Sequence, residues 1–326
     1  MERIDTHAHV VPEVWRKYCC EHGYDKPDGM PKIPAWTPEV HIDLMGTLGV
    51  SKSILSITSP GTHLKAYDDE LARRVTRETN EEIASICQRY PEKFRFFASL
   101  PLPDVADSLK EIDYALDNLG AVGFALMTNA QGYYPGDPKL DGVLAKLNER
   151  KAVVFLHPTS CHSPKNPDAE RPLSQYPAPV LEFFFDSTRA VVNLILSGAV
   201  ARYPNITYIV SHCGAALPPL IERFSSFSSM ILGSSGSEAV TSSAVKDLFK
   251  TRFYFDLAGF PFPDQIHGLL RSTDSSRLLY GSDFPYTPAS ALPEMGSRIA
   301  EGLADIFEDA VIAEVYSGNA KRLLKM

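Results

Sequence analysis

The chain has 326 residues, a formal net charge of −8 and a hydrophobic fraction of 44%, enough apolar material for one large buried core. The acidic balance, with no basic tract, argues against nucleic acid or an anionic membrane surface as a partner, and no apolar run reaches the length that spans a bilayer. A strand is expected from residue 3 onward, which leaves no space for a leader peptide. The cysteines, Cys19, Cys20, Cys87, Cys161 and Cys213, lack framework spacing and suit reduced thiols in the cytosol, with the adjacent Cys19 and Cys20 read as part of a helix.

Short apolar runs alternate with longer amphipathic stretches. Strands are predicted at residues 3–9, 52–58, 94–100, 121–127, 153–157, 207–212, 252–257 and 278–283. Most are too continuously apolar to have a wet face, as parallel strands covered on both sides are. Helices are predicted between them at 38–48, 67–90, 103–119, 137–150, 179–202 and 214–230, the third opening on the start signals Pro103 and Asp104. Eight strands followed by helices predict a (β/α)8 TIM barrel, with a doubly wound open sheet as the alternative. No linker divides the chain, so residues 1–326 form one domain. Residues 10–36 are a small insertion after strand 1, with a short helix and a Pro/Gly-rich loop, expected to cap the barrel mouth. Residues 225–244, rich in serine and including Gly233-Ser234-Ser235-Gly236, are expected to form a mobile loop, a lid or an interface segment.

Chemistry in such a barrel sits at the carboxyl ends of the strands. The first strand ends in His7-Ala8-His9, whose spacing sends both imidazoles to one face. The fifth ends in His157, the sixth in His212 and the eighth in Asp283. Any one of these alone reads as a polar strand end. Together they bring histidines and a carboxylate to one mouth, a donor set that suits a divalent metal with a position left for water or substrate.

The motifs His7-x-His9, His157-Pro158, Ser211-His212-Cys213-Gly214 and Gly281-Ser282-Asp283-Phe284-Pro285 resemble the amidohydrolase superfamily. They are most similar to its nonhydrolytic decarboxylase branch, which includes the aminocarboxymuconate-semialdehyde and γ-resorcylate decarboxylases. The resemblance runs to the closing Ser317-Gly318-Asn319-Ala320-Lys321-Arg322-Leu323. The segments Ile4-Asp5-Thr6-His7-Ala8-His9-Val10-Val11-Pro12 and Trp36-Thr37-Pro38-Glu39 look like those of the fungal 6-methylsalicylate decarboxylases. The resemblance implies a carbon–carbon lyase that converts an ortho-hydroxybenzoate, 6-methylsalicylate, to 3-methylphenol and CO2 in polyketide secondary metabolism. It implies His7, His9, His157 and Asp283 as metal ligands and His212 as a nonligand histidine that positions or activates the reacting group. It also implies a homodimer in which an arginine eleven residues past that histidine, here Arg223, reaches the neighbouring subunit's pocket and binds the substrate carboxylate. Where the semialdehyde decarboxylase has an arginine four residues before a tryptophan, this chain has Lys32 before Trp36, which keeps a cation and loses the bidentate fork. Trp36, Phe185, Phe284 and Tyr286 are candidates for an aromatic pocket wall.

Nitrogen-rich ligation favours one zinc per chain, with manganese as the alternative. The substrate's carboxylate and ortho-hydroxyl suit chelation to one metal, and protonation of the carboxylate-bearing ring carbon avoids an aryl carbanion. Asp283, protonated beside the metal, is expected to donate or relay that proton, with His212 holding it or the phenol oxygen. The rival readings are a metal-dependent hydrolase, such as a lactonase or amidohydrolase, and a noncatalytic metal- or partner-binding barrel. Hydrolytic relatives often carry a carboxylated lysine at the end of strand four; residues 122–128 contain none, which favours a one-metal, nonhydrolytic site.

Overall fold

The computed structural model describes residues 1–161, 175–232 and 240–326. Its centre is a single eight-stranded parallel sheet in sequence order: β1 (Arg3–His9), β2 (Val50–Ser56), β3 (Phe94–Ala98), β4 (Gly123–Met127), β5 (Val153–His157), β6 (Thr207–Val210), β7 (Phe253–Asp256) and β8 (Leu278–Leu279). The helices are α1 (Glu13–Glu21), α2 (Pro38–Leu48), α3 (Asp69–Arg89), α4 (Val105–Asp117), α5 (Asp141–Glu149), α6 (Glu182–Leu196), α7 (Ala199–Arg202), α8 (Ile221–Leu232), α9 (Ser242–Thr251), α10 (Gln265–Leu270), α11 (Leu292–Ala304), α12 (Asp309–Ala313) and α13 (Asn319–Leu324). This is the TIM barrel expected from the strand–helix alternation. One inward side chain from each strand fills the interior: Ile4, Ile54, Phe97, Ala125, Phe155, Ile209, Tyr254 and Leu279 form one apolar cluster, closed from below by Ala320 and Leu324 of α13.

The eighth strand is shorter than the run 278–283 predicts. After Leu279 the chain leaves β7 and gives its hydrogen bonds to β1. Tyr280 O accepts from Thr6 N–H at 3.0 Å, His7 O accepts from Asp283 N–H at 2.7 Å, and Phe284 O accepts from His9 N–H at 2.7 Å. The barrel thus closes through a segment that is not regular strand. Asp5, fully buried, reinforces the seam: its Oδ1 accepts the N–H groups of His7 and Ser282, each at 3.1 Å.

Helix boundaries follow local signals. Asp104 is the N-cap of α4 and accepts from Asp107 N–H, and Asp68 caps α3 in the same way. The predicted helix 179–202 is two helices, broken where Gly198 takes a φ of 72°. The helix predicted from residue 214 begins only at Ile221, because residues 212–215 all stand at positive φ.

The serine-rich loop expected from residue 225 is a correction. Through Leu232 it is helix α8. Its serines return their hydroxyls to the preceding turn, Ser225 Oγ to Ile221 O at 2.7 Å and Ser229 Oγ to Ser225 O at 3.0 Å, which satisfies inside a helix the groups that otherwise favour loops. The Gly233-Ser234-Ser235-Gly236 segment lies outside the described residues. All five cysteines are free, and Cys19 and Cys20 lie within α1. Among the described residues no helix is long and apolar enough to cross a membrane.

Candidate active site

The strand ends deliver the expected donors to one point. One ligand atom each from His7, His9, His157 and Asp283 lies within 4.8 Å of all the others. The three histidines are buried, at 0%, 0% and 2% exposure, and the Asp283 side chain keeps 20%. Each imidazole is oriented by its outer nitrogen. His7 Nδ1 is 3.0 Å from Asp256 Oδ2, His9 Nδ1 is 3.2 Å from Ser56 O, and His157 Nδ1 is 2.9 Å from Pro158 O. Each of these partners accepts, so in the neutral, ligating form of each ring Nδ1 carries the proton and Nε2 presents the lone pair. Those lone pairs converge: His7 Nε2 and His9 Nε2 are 3.2 Å apart, and Asp283 Oδ1 is 3.4 Å from the first and 3.1 Å from the second. Facing lone pairs with a carboxylate between them fit a divalent cation.

The electrostatics agree. Burial disfavours a charged His7, yet Asp256 and Asp283 outweigh burial and raise it to about 10, so the site calls for positive charge. Burial and the neighbouring histidines hold His157 well below its ordinary value, which keeps it neutral and ready to ligate. Burial pushes Asp283 up, but the neighbouring imidazoles of His212, His7 and His9 outweigh it and hold the group well below the usual carboxylate range. The carboxylate form of Asp283 is the one these surroundings favour.

The two oxygens of Asp283 have different neighbours. Oδ1 faces the two β1 histidines, whereas Oδ2 faces His212 Nε2 at 3.8 Å and Thr287 Oγ1 at 3.4 Å. His212 lies beside the ligand cluster, its ring centroid 4.9 Å from that of His7. Just past the end of β4, Thr128 donates to buried Asp186.

The cluster opens into a cavity of about 310 Å³ whose wall includes His157, His212 and Asp283. Pro27, Asp28 and Met30 of the insertion line it, so the insertion covers the mouth. Its helix is anchored by buried Trp15, whose Nε1 donates to Gly61 O at 2.8 Å. Among the aromatic candidates Tyr286 lines the cavity, with its ring centroid 5.5 Å from that of His9. Phe185 does not: it is 39% exposed, and its neighbours Phe183 and Phe184 face the cavity instead. Successive helix residues point about 100° apart, so one position decides this and composition does not show which. Trp36 packs on the core beside His41, to which its Nε1 donates at 3.0 Å. Phe284 is buried against the same histidine. Lys32 and Arg223 are exposed and outside the lining of this chain's cavity. Arg223 lies over the Phe227 ring at 4.8 Å. Among the described residues the cavity wall contains no lysine or arginine.

Asp256 was not singled out by sequence. It ends β7, is fully buried, and joins two parts of the site, holding His7 through Oδ2 while Oδ1 accepts the His212 N–H at 3.0 Å and the Ala258 N–H at 3.1 Å. The signal was present in Phe253-Tyr254-Phe255-Asp256, an acid closing an apolar run.

Barrel and site together define a class, that of α/β barrel proteins with three histidines and an aspartate converging in the carboxyl mouth. The chain belongs to the amidohydrolase family, whose model matches residues 4–326. It is similar to the 6-methylsalicylic acid decarboxylase acuB of Aspergillus aculeatus, 34% identical over 98% of this chain and 95% of that one. A crystal structure of an amidohydrolase II is 33% identical, covers 99% of this chain and 100% of its own, and superposes with a TM-score of 0.85. A dihydroxybenzoic acid decarboxylase from Polaromonas sp. JS666, solved with manganese and the inhibitor 2-nitroresorcinol, shares the fold at a TM-score of 0.82 and 19% identity over 99% of this chain and 97% of that one.

Proposed function

We propose that this protein is a metal-dependent, nonoxidative decarboxylase of an ortho-hydroxybenzoate, with 6-methylsalicylate as substrate and 3-methylphenol and CO2 as products. The observation that carries the reading is the convergence of His7, His9, His157 and Asp283 beside His212, on a chain matched over nearly its whole length by a decarboxylase of that acid. Zinc suits the nitrogen-rich set, and manganese is the alternative because a relative of the same fold carries it. Held by His7, His9, His157 and Asp283, the metal would supply Lewis acidity to the substrate's oxygens.

The chain's own residues move the proton. Asp283, resting as the carboxylate, takes the phenolic proton on the oxygen that faces His212 and passes it to the ring carbon bearing the carboxylate. The carbon–carbon bond then breaks, its electron pair restores the aromatic ring, and CO2 departs. Solvent reprotonates the phenolate. His212 steadies the proton on Asp283, and the phenylalanines and methionines of the wall exclude water and hold an alkyl-bearing ring. Among the described residues the wall offers no lysine or arginine, which supports Arg223 of a second subunit as the partner of the substrate carboxylate, in a homodimer. Five free cysteines support a cytosolic location.

The test is an assay of metal-loaded protein with 6-methylsalicylate, following 3-methylphenol by chromatography beside a chelator-stripped control. Metal-dependent 3-methylphenol is expected. Turnover of lactones and of no hydroxybenzoate would favour a hydrolase.

A further inference from the structure

Four successive residues after β6 stand at positive φ: His212 at 55°, Cys213 at 55°, Gly214 at 79° and Ala215 at 53°. Three of them carry a Cβ. Ala215, with a ψ of −130°, occupies a region that glycine enters freely and alanine does not. A chain left to itself would not hold this turn, so its surroundings must.

Asp256 holds one end by accepting the His212 N–H. The turn closes on itself through one bond, Ala215 N–H to His212 O at 2.9 Å, and the other outside hold is the side chain of Gln265. Its Nε2 lies 2.7 Å from His212 O, 3.1 Å from Ala215 O and 3.4 Å from Cys213 O. An amide nitrogen has two hydrogens, so it serves the two nearer carbonyls, one at each end of the left-handed stretch. Gln265 opens α10, whose Ile266 and Leu269 are fully buried and whose Ile266 N–H is fixed to Pro261 O at 2.9 Å. The clamp is therefore mounted on a rigid element. The imidazole of His212 has little else to aim it, since its buried Nδ1 has no hydrogen-bond partner among the described residues. The direction of its ring is set by the backbone beneath it and by the Phe184 ring stacked 5.8 Å away.

We propose that Gln265 is a positioning residue: its amide clamps the turn 212–215 and so aims His212 at Asp283 and the reacting centre. The proposal rests on the role given to His212 above. It makes a dependence of the reaction on a residue that is absent from the cavity lining and from the ligand cluster.

The test is Gln265→Glu, near in shape but without the donors. A fall in kcat on the order of tenfold or more is expected, as the loss of two hydrogen bonds implies, with KM and bound metal kept within about twofold. Adding Ala215→Gly to that variant relieves the turn and is expected to restore most of kcat, a rescue that general destabilisation would not show. A crystal structure of Gln265→Glu reads the geometry without activity. The turn is expected to leave positive φ and His212 Nε2 to move beyond its present 3.8 Å from Asp283 Oδ2. An unchanged kcat, or an unchanged turn in the variant, overturns the proposal. If wild-type protein decarboxylates no hydroxybenzoate, the functional reading falls while the crystallographic result still decides the clamp. Should Gln265→Glu fail to fold, Gln265→Met removes the donors without adding a charge and serves the same comparison.

Discussion

Replacing Asp256 with asparagine separates a metal-tuning role from a purely structural one. The carboxylate serves three donors: Oδ2 takes the His7 Nδ1–H at 3.0 Å, and Oδ1 takes the N–H groups of His212 at 3.0 Å and Ala258 at 3.1 Å. Asparagine has one oxygen and one NH2, and both ways of placing it fail. With its oxygen toward His7, the NH2 confronts two buried N–H groups, each costing about 1–3 kcal/mol unpaired. With its oxygen toward those amides, the NH2 faces His7 Nδ1, and the ring must move its proton to Nε2, the atom that would ligate the metal. The second arrangement is cheaper for the fold, so the loss falls on the metal. Affinity is expected to drop about 10- to 100-fold, or ~1.4–2.7 kcal/mol. A competition titration against a chelator of known affinity measures this directly, with kcat at saturating metal as a second reading. An unchanged titration midpoint, with the melting temperature lowered instead, would refute the reasoning and confine Asp256 to supporting the turn.

Asp283→Asn is expected to abolish turnover while metal stays partly bound, since the amide retains a ligating oxygen and cannot relay the proton; near-normal turnover would remove Asp283 from the mechanism. Gly281→Ala places a Cβ 2.7 Å from His7 Cβ, so His7 must shift, and metal content per chain after dialysis should fall. Tyr286→Phe removes a buried hydroxyl that has no partner among the described residues, on a side chain that lines the cavity; the melting temperature is expected to rise, since an unpaired buried hydroxyl costs about 1–3 kcal/mol, with KM kept within about twofold, and a lowered melting temperature would mean that the hydroxyl has a partner. His41 is held down to about 3 by burial, below its unfolded value. Its contribution to stability is therefore present above about pH 6.5 and lost as pH falls toward 3, at ~1.4 kcal/mol per pH unit; denaturant titrations should show that slope shrink in His41→Gln.

Much of the site was legible because barrel topology converts strand order into spatial order. Residues far apart in sequence meet when each ends a strand of the same barrel, so His7, His9, His157 and Asp283 could be grouped from strand order alone. Asp256 ends a strand too, and escaped because a lone acid after Phe253-Tyr254-Phe255 has no motif around it. Phe185 was preferred to Phe183 and Phe184 because one residue of helix register is invisible to composition. Trp36 and Lys32 lie in an insertion whose path no periodicity reports. The serines of α8 favoured a loop until the carbonyls of the preceding turn gave their hydroxyls partners.

The sequence by itself determined the barrel, its strand order and the donor types at its mouth, because buried parallel strands and strand-end polar residues are local patterns. Only the tertiary structure decided which oxygen of Asp283 faces His212, which nitrogen of each histidine is free, and what holds the turn 212–215 at positive φ. Those outcomes depend on hydrogen bonds between residues far apart in the chain, such as Asp256 to His7 and Gln265 to His212, and no local pattern encodes a partner that only folding brings near.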